Sequence, residues 1–320
     1  MGTELQEIGG YIGLDKCTAQ RLHESAIALN SGRSCLAYLI RTKAIQCIWL
    51  PYFVCGSVCH TCQKEGVHIR YYHIGKDFLP QDVNLQDKEW LYLVNYYGQI
   101  NNERITLLVK RYERVIVDSA QAYFQQPLER VDTLYSCRKF FGVPDGGILY
   151  TDTVFKEGLE RDYSYERMRH LLGSFEKKTS EFYREYVINN QSFAQAPILR
   201  MSLLTDNLLR ALDYNDIKKR RTSNFRLLDC LLRGKNILKL ELAEGAYMYP
   251  FWIEEGGTVR KELIQKRIYI PILWPDVLEM CGQDTIEYQM AQNILPLPVD
   301  QRYGEKEMRY IVKCILDWRK

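Results

Sequence analysis

Two residues of this chain are well placed to do chemistry: an acid at the end of one apolar run and an amine on the loop after another. Asp118 closes VIVD, the start of VIVDSAQAYF (115–124). That run is apolar enough to be buried, where a bare carboxylate is costly. Lys139 lies in SCRKFFGVPDGG (136–147), after a second apolar strand and before a Pro-Asp-Gly-Gly turn. A carboxylate can keep a pyridine nitrogen protonated and an amine can form a Schiff base, and pyridoxal 5'-phosphate (PLP) needs both. Each unit by which the acid raises the ring nitrogen's pKa favours the protonated form by ~1.4 kcal/mol. Taken singly, Asp118 also reads as a strand-end cap and Lys139 as a solvated loop charge. Gln121, three residues after Asp118, is close enough to orient either the acid or a cofactor oxygen.

A third element is Asn30-Ser31-Gly32-Arg33-Ser34, which opens the first clear helical pattern. Gly32 lets the backbone approach a ligand, and the free N–H groups of a first helical turn attract anions. With the Ser34 hydroxyl and the Arg33 cation they suit a phosphate monoester. An ordinary Ser/Gly helix cap explains the same residues.

The elements that must position these groups follow from periodicity. Apolar, β-rich runs fall at 45–50, 67–74, 90–96, 115–118, 131–136 and 147–151. Helical patterns fall at 34–42, 56–65 and 101–112, the last carrying Ile105, Leu108 and Val109 at helical spacing. Such alternation predicts an α/β fold, a largely parallel sheet covered on both faces. Residues 154–190 are charged, Tyr-rich and helical in pattern. A long helix is expected over 202–232, with Leu208, Leu209, Leu212, Leu227, Leu228 and Leu231 as its core stripe. After Gly234 a smaller α+β unit is expected, with strands near 247–254 and 268–273 and helices near 258–266, 285–294 and 304–318. The domains read as 1–235, a large α/β domain with its following helices, and 236–320, a compact C-terminal domain.

At 320 residues, 46% hydrophobic and 26% charged, the chain is an ordinary globular one. A net charge of +3 without a dense basic tract leaves nucleic acid and anionic membrane without an electrostatic footprint. The longest apolar runs, such as CIWLPYFVC (47–55), are too short to span a bilayer. MGTELQEIGG shows neither a secretory leader nor a myristoylation pattern, so a cytoplasmic location is expected. Of ten cysteines, Cys35, Cys47, Cys137, Cys230 and Cys314 sit in apolar segments and read as reduced, buried residues. Cys55, Cys59 and Cys62 have the spacing of a radical-SAM iron–sulfur motif, but i, i+4 and i+7 also mark one buried helix face, and Thr61 stands where an aromatic is expected. The histidines show no metal-ligand spacing. The basic residues at 177–178 and 218–221 read as solvated helix faces, and Arg302 as either a ligand for a donor carboxylate or a structural ion pair.

The ordered series NSGRS, WLPYFVCGSV (49–58), LVNYYGQ (93–99), VDSAQAYF (117–124), YSCRKFFGVPDGG (135–147), RMSLLTDNLLRALDYNDIKKRRTSNF (200–225) and LPVDQRY (297–303) resembles the DegT/StrS-type PLP-dependent aminotransferases. The resemblance implies PLP fold type I, with a smaller C-terminal domain. It implies a homodimer and transfer of an amino group from an amino donor to a keto acceptor, a nucleotide-linked keto sugar in many members. Lys139 would then be the Schiff-base lysine, Asp118 the partner of the pyridine nitrogen and Gln121 a neighbour of the ring. Gly32, Arg33, Ser34 and Ser136 would hold the phosphate. Lysine at position 139 disfavours the family's dehydratase branch, which carries histidine there. The sequence departs from the pattern at Cys55, where many members stack an aromatic on the ring, with Phe53 and Tyr52 as the nearby substitutes, and at Ile198, where an asparagine often reaches the neighbouring subunit. The alternatives are another PLP-dependent reaction on a smaller substrate and a non-catalytic PLP-binding protein.

Overall fold

The computed structural model describes residues 8–156 and 158–319; the leader reading for residues 1–7 lies outside them. Eight strands form the main sheet: β1 (Ile27–Leu29), β2 (Cys47–Pro51), β3 (His68–Ile74), β4 (Pro80–Gln81), β5 (Trp90–Val94), β6 (Val115–Asp118), β7 (Asp132–Ser136) and β8 (Gly147–Tyr150). Their spatial order is β1-β8-β7-β6-β5-β2-β3-β4. Strands β3, β2, β5, β6 and β7 run parallel, whereas β8 runs antiparallel to both β7 and β1. All of β6 and most of β5 are buried, as expected for central parallel strands covered on both faces. The expected α/β class is the one observed.

Three helices cover this sheet: α1 (Gly32–Thr42), α2 (Gly56–Lys64) and α3 (Asn102–Tyr112). Local chemistry sets their starts. Ser31 Oγ accepts the Ser34 N–H at 3.1 Å, and Asn101 Oδ1 accepts that of Arg104 at 3.0 Å. Such caps stabilise a helix by about 1 kcal/mol. Helices α4 (Arg169–Glu176) and α5 (Tyr183–Ser192) follow, so the 154–190 segment turns helical only from Tyr165 onward. The helix expected over 202–232 is two, α6 (Leu203–Arg210) and α7 (Tyr214–Leu232). Asp213 breaks it by accepting the Asp216 N–H and capping a new start.

The C-terminal unit pairs β9 (Met248–Trp252) with β10 (Ile294–Pro298) antiparallel and adds α8 (Gly256–Gln265), α9 (Val277–Met280), α10 (Ile286–Asn293) and α11 (Glu305–Leu316). The strand expected at 268–273 does not form. Its place beside β9 is taken by ILPLP, whose prolines are tolerated because both strands of a two-stranded ribbon are edges. One apolar core surrounds the sheet. A second joins Phe225, Leu228 and Leu232 of α7 to β9, β10, α8 and α11. A third gathers Tyr123, Tyr135, Phe140, Phe141 and Met201 behind the Lys139 loop. Each fully buried large apolar side chain contributes roughly 1.5–3 kcal/mol.

All ten cysteines are free. Cys35, Cys137 and Cys314 are buried and Cys47 half-buried, but Cys230 faces solvent on α7. Among the described residues no helix is long and apolar enough to cross a membrane.

Candidate active site

Asp118 ends β6 at the carboxyl edge of the sheet, between Val94 of β5 and Leu134 of β7. Its carboxylate is buried and oriented from two sides. The Tyr92 hydroxyl donates to Oδ2 at 2.9 Å and the Ala120 N–H to Oδ1 at 2.8 Å. Burial, and then the charge of Asp118, push the Tyr92 phenol well above its ordinary pKa, so it remains a donor. Two carboxylate oxygens offer about four lone-pair sites, which leaves acceptor capacity for a further donor.

Lys139 lies on the single turn Cys137–Lys139 that follows β7. Leu134, the β7 partner of Asp118, precedes it by five positions (139 − 134). Adjacent strands are about 4.8 Å apart, so acid and amine leave the same edge on neighbouring strands. The side chain is exposed in a cleft of about 660 Å³ between the sheet domain, α4–α5 and the C-terminal unit, with Nζ 5.8 Å from the Tyr247 ring centre. Arg138, Arg221 and Arg302 also line the cleft. Arg302 is engaged by Asp300 through two bonds of 2.7 and 3.0 Å, the ion-pair reading of that residue.

The Pro-Asp-Gly-Gly turn docks on the start of α1. The Gly146 N–H donates to Asn30 O at 2.7 Å, and a Cβ on Gly147 would fall 2.4 Å from the Ser31 carbonyl. Asp145, fully buried, accepts from the Ser202 N–H and hydroxyl and from the Thr205 hydroxyl. Ser31 caps the helix and Ser34 Oγ donates to Asn30 Oδ1 at 2.5 Å. Among the described residues the Gly32 and Arg33 N–H groups have no acceptor. Arg33 donates to Asn190 O at 3.2 Å, and burial lowers its pKa. Ser136 ends β7 half-buried, opposite Gly147.

The structure thus brings Asp118, the Lys139 turn and the start of α1 to one edge. The cleft walls, however, include Lys139 but not Gly32, Arg33, Ser34, Asp118, Gln121 or Ser136. Gln121 borders a separate cavity of about 220 Å³, and its Oε1 accepts the N–H of Tyr97, a buried residue held in the left-handed region at φ 55°. Phe53 is locked between Tyr96 and Trp274, and Tyr52 stacks on Tyr71, so neither ring is free to cover a ligand. Cys55 stands before the first turn of α2, with Sγ 3.1 Å from Ser57 Oγ. Cys59 and Cys62 lie on α2 itself, and burial pushes the Cys62 thiol up to about 12. Sequence reasoning missed Tyr92 and Tyr247, which carried no motif, and gave no role to Gln301 although it lies within LPVDQRY. It set Arg221 on a solvated face, but Arg221 is buried, because α7 turns that face toward the loops after β7 and before β9. An oriented acid, an amine on the turn after the adjoining strand and a helix start with two free N–H groups are the kinds of group that the ring nitrogen, aldehyde and phosphate of PLP would need.

No family model and no curated protein matches the chain. Solved structures do. A DegT DnrJ EryC1 StrS aminotransferase from Brucella abortus is 15% identical with a TM-score of 0.62, over 92% of this chain and 85% of that one. The sugar aminotransferase CalS13 from Micromonospora echinospora is 13% identical with a TM-score of 0.63, over 92% and 88%. NtdA from Bacillus subtilis with bound cofactor PMP is 14% identical with a TM-score of 0.65, over 91% and 72%. The chain has the fold of these aminotransferases, PLP fold type I.

Proposed function

We propose that this chain is a PLP-dependent aminotransferase of the DegT/StrS type that moves an amino group from an amino acid, glutamate or glutamine, to a keto sugar carried on a nucleotide. The observation that carries this reading is a buried acid and an amine leaving adjacent parallel strands, in a fold shared with aminotransferases. Bound there, PLP would supply an electron sink for charge developing at the substrate carbon. Asp118 would hold the proton on the pyridine nitrogen, with the Tyr92 hydroxyl and the Ala120 N–H fixing its orientation. Lys139 would carry the cofactor between turnovers and move a proton between the substrate carbon and the cofactor's C4′ atom. The Gly32 and Arg33 N–H groups, with Ser34, Ser136 and the Arg33 guanidinium, would hold the phosphate. Gln121 would act beside the ring through the turn it braces.

The cleft's aromatic and cationic walls suit a ligand with a flat base and phosphates. The apolar side chains left exposed on α4 and α5 beside the cleft favour a homodimer. We take residues 1–235 and 236–320 as the two domains, sharing α7 as a common wall, and the cytoplasm as the location.

The test is spectroscopic. Purified protein given PLP should acquire a visible band that glutamate bleaches. A band that no amino donor moves would favour a non-catalytic PLP-binding protein, and the absence of any band would sink the reading.

A further inference from the structure

Arg221 is 1% exposed, and among the described residues no carboxylate pairs with it. Its guanidinium is held by neutral acceptors instead. Nε donates to Gln301 Oε1 at 2.8 Å, Nη1 to Ala246 O at 2.9 Å and to Tyr247 O at 3.4 Å, and Nη2 to Phe140 O at 3.1 Å. The group also lies 4.7 Å from the Phe140 ring centre. Burial lowers its pKa to about 10, the mark of a cation kept at some cost. Asp300, the acid whose charge reaches it, is taken by Arg302.

The acceptors explain the placement. Phe140 follows Lys139 in the chain, and its carbonyl takes a second bond, from Gln301 Nε2 at 2.9 Å. Tyr247 is the ring that faces the Lys139 amine. Arg221 therefore grips the backbone on both sides of that amine, and Gln301, between β10 and α11, joins the grip from the C-terminal unit. We propose that Arg221 and Gln301 are positioning residues: a clamp on the Phe140 carbonyl that fixes the Lys139 amine against Tyr247 and ties its place to the C-terminal unit. The clamp matters for catalysis only on the reading that Lys139 is the reactive amine.

Its test needs no cofactor. The full chain is acylated with acetic anhydride at fixed pH, and mass spectrometry reads labelling of Lys139 relative to exposed Lys266. Gln301→Met loses the donor to Phe140 and the acceptor for Arg221 without placing a new charge beside the amine. It should change the Lys139 to Lys266 ratio about fivefold, the worth of one net hydrogen bond. Its thermal midpoint should stay within about 4 °C of the parent. Arg221→Met should change the ratio further. A purely structural role would shift the midpoint and leave the ratio alone, so an unchanged ratio in folded Gln301→Met overturns the proposal, even where Arg221→Met fails to fold. Adding PLP to the parent separates the two ideas. If no visible band forms, the functional reading fails and the labelling result still stands.

Discussion

Around Asp118 the chain answers its own polar groups. Tyr92 and Ala120 satisfy the carboxylate, Tyr92 O accepts the Tyr72 hydroxyl, and Gln121 braces the strained Tyr97. From 163 to 192 the opposite holds: Leu172, Phe175, Tyr183 and Ile188 face solvent, Phe175 at 93% exposure, and α4 and α5 each bury a single residue. The first region is preorganised within one chain, so its geometry survives in isolation. The second gains little from its own fold, and on the proposed homodimer the outer wall of the cleft is the surface a second copy would cover. The proposed chemistry and the proposed assembly thus fall in different parts of the chain, and each can be tested without the other.

The largest effect is expected at Lys139. Lys139→Ala should abolish the visible band of PLP-loaded protein and lower amino transfer by roughly 10²–10⁴. An unchanged spectrum would reject the lysine assignment. Asp118→Ala should cost both activity and stability, because it strands the Tyr92 hydroxyl and the Ala120 N–H in the interior, at about 1–3 kcal/mol each. Urea unfolding measures the stability part, and a loss under about 1 kcal/mol would mean that the region tolerates unanswered donors after all.

His23 offers a pH test of the preorganised side. It is wedged among Tyr123, Tyr135 and Tyr150, and its Nε2 lies 2.8 Å from Tyr123 O. Burial lowers its pKa from 6.5 to about 4, opposed in part by that bond. Between those values the unfolded chain binds the proton and the folded one resists it. Stability should therefore fall as pH drops through this window, by ~3 kcal/mol at pH 4. His23→Gln should flatten that limb of the stability curve. The smallest stability change is expected at Phe175→Asp with Tyr183→Asp, below about 0.5 kcal/mol. On the proposed homodimer, the parent should sediment as a dimer and the same double variant as a monomer.

What could be read from the sequence follows the same divide. The strands β2, β3, β5, β6, β7 and β8 and helices α1 to α3 announced themselves through continuous apolar runs and helical spacing, because both faces of the sheet are covered. The places of Asp118 at a strand end and Lys139 just after one were readable, because the apolar runs before them end there. β1 was missed because three residues carry no period, and β10 because its prolines signal a break that only an edge ribbon tolerates. Arg221 was misjudged because a run of four basic residues hides the one that turns inward. The division of α6 from α7 rested on one capping aspartate, within a stretch of otherwise good helix formers.

The reversal of β8 has a consequence for how this architecture tolerates change. Parallel neighbours such as β2 and β3 are joined through a helix, which can slide or lengthen to absorb an inserted residue without moving the strand ends. The amine instead rides on a ten-residue hairpin (137–146) pinned at its base by the Cys137 N–H on Gly146 O and the Gly146 N–H on Asn30 O. A residue gained or lost there has no helix to take up the slack, and the error passes undiluted to the amine. That short span should accept new side chains far more readily than a new length.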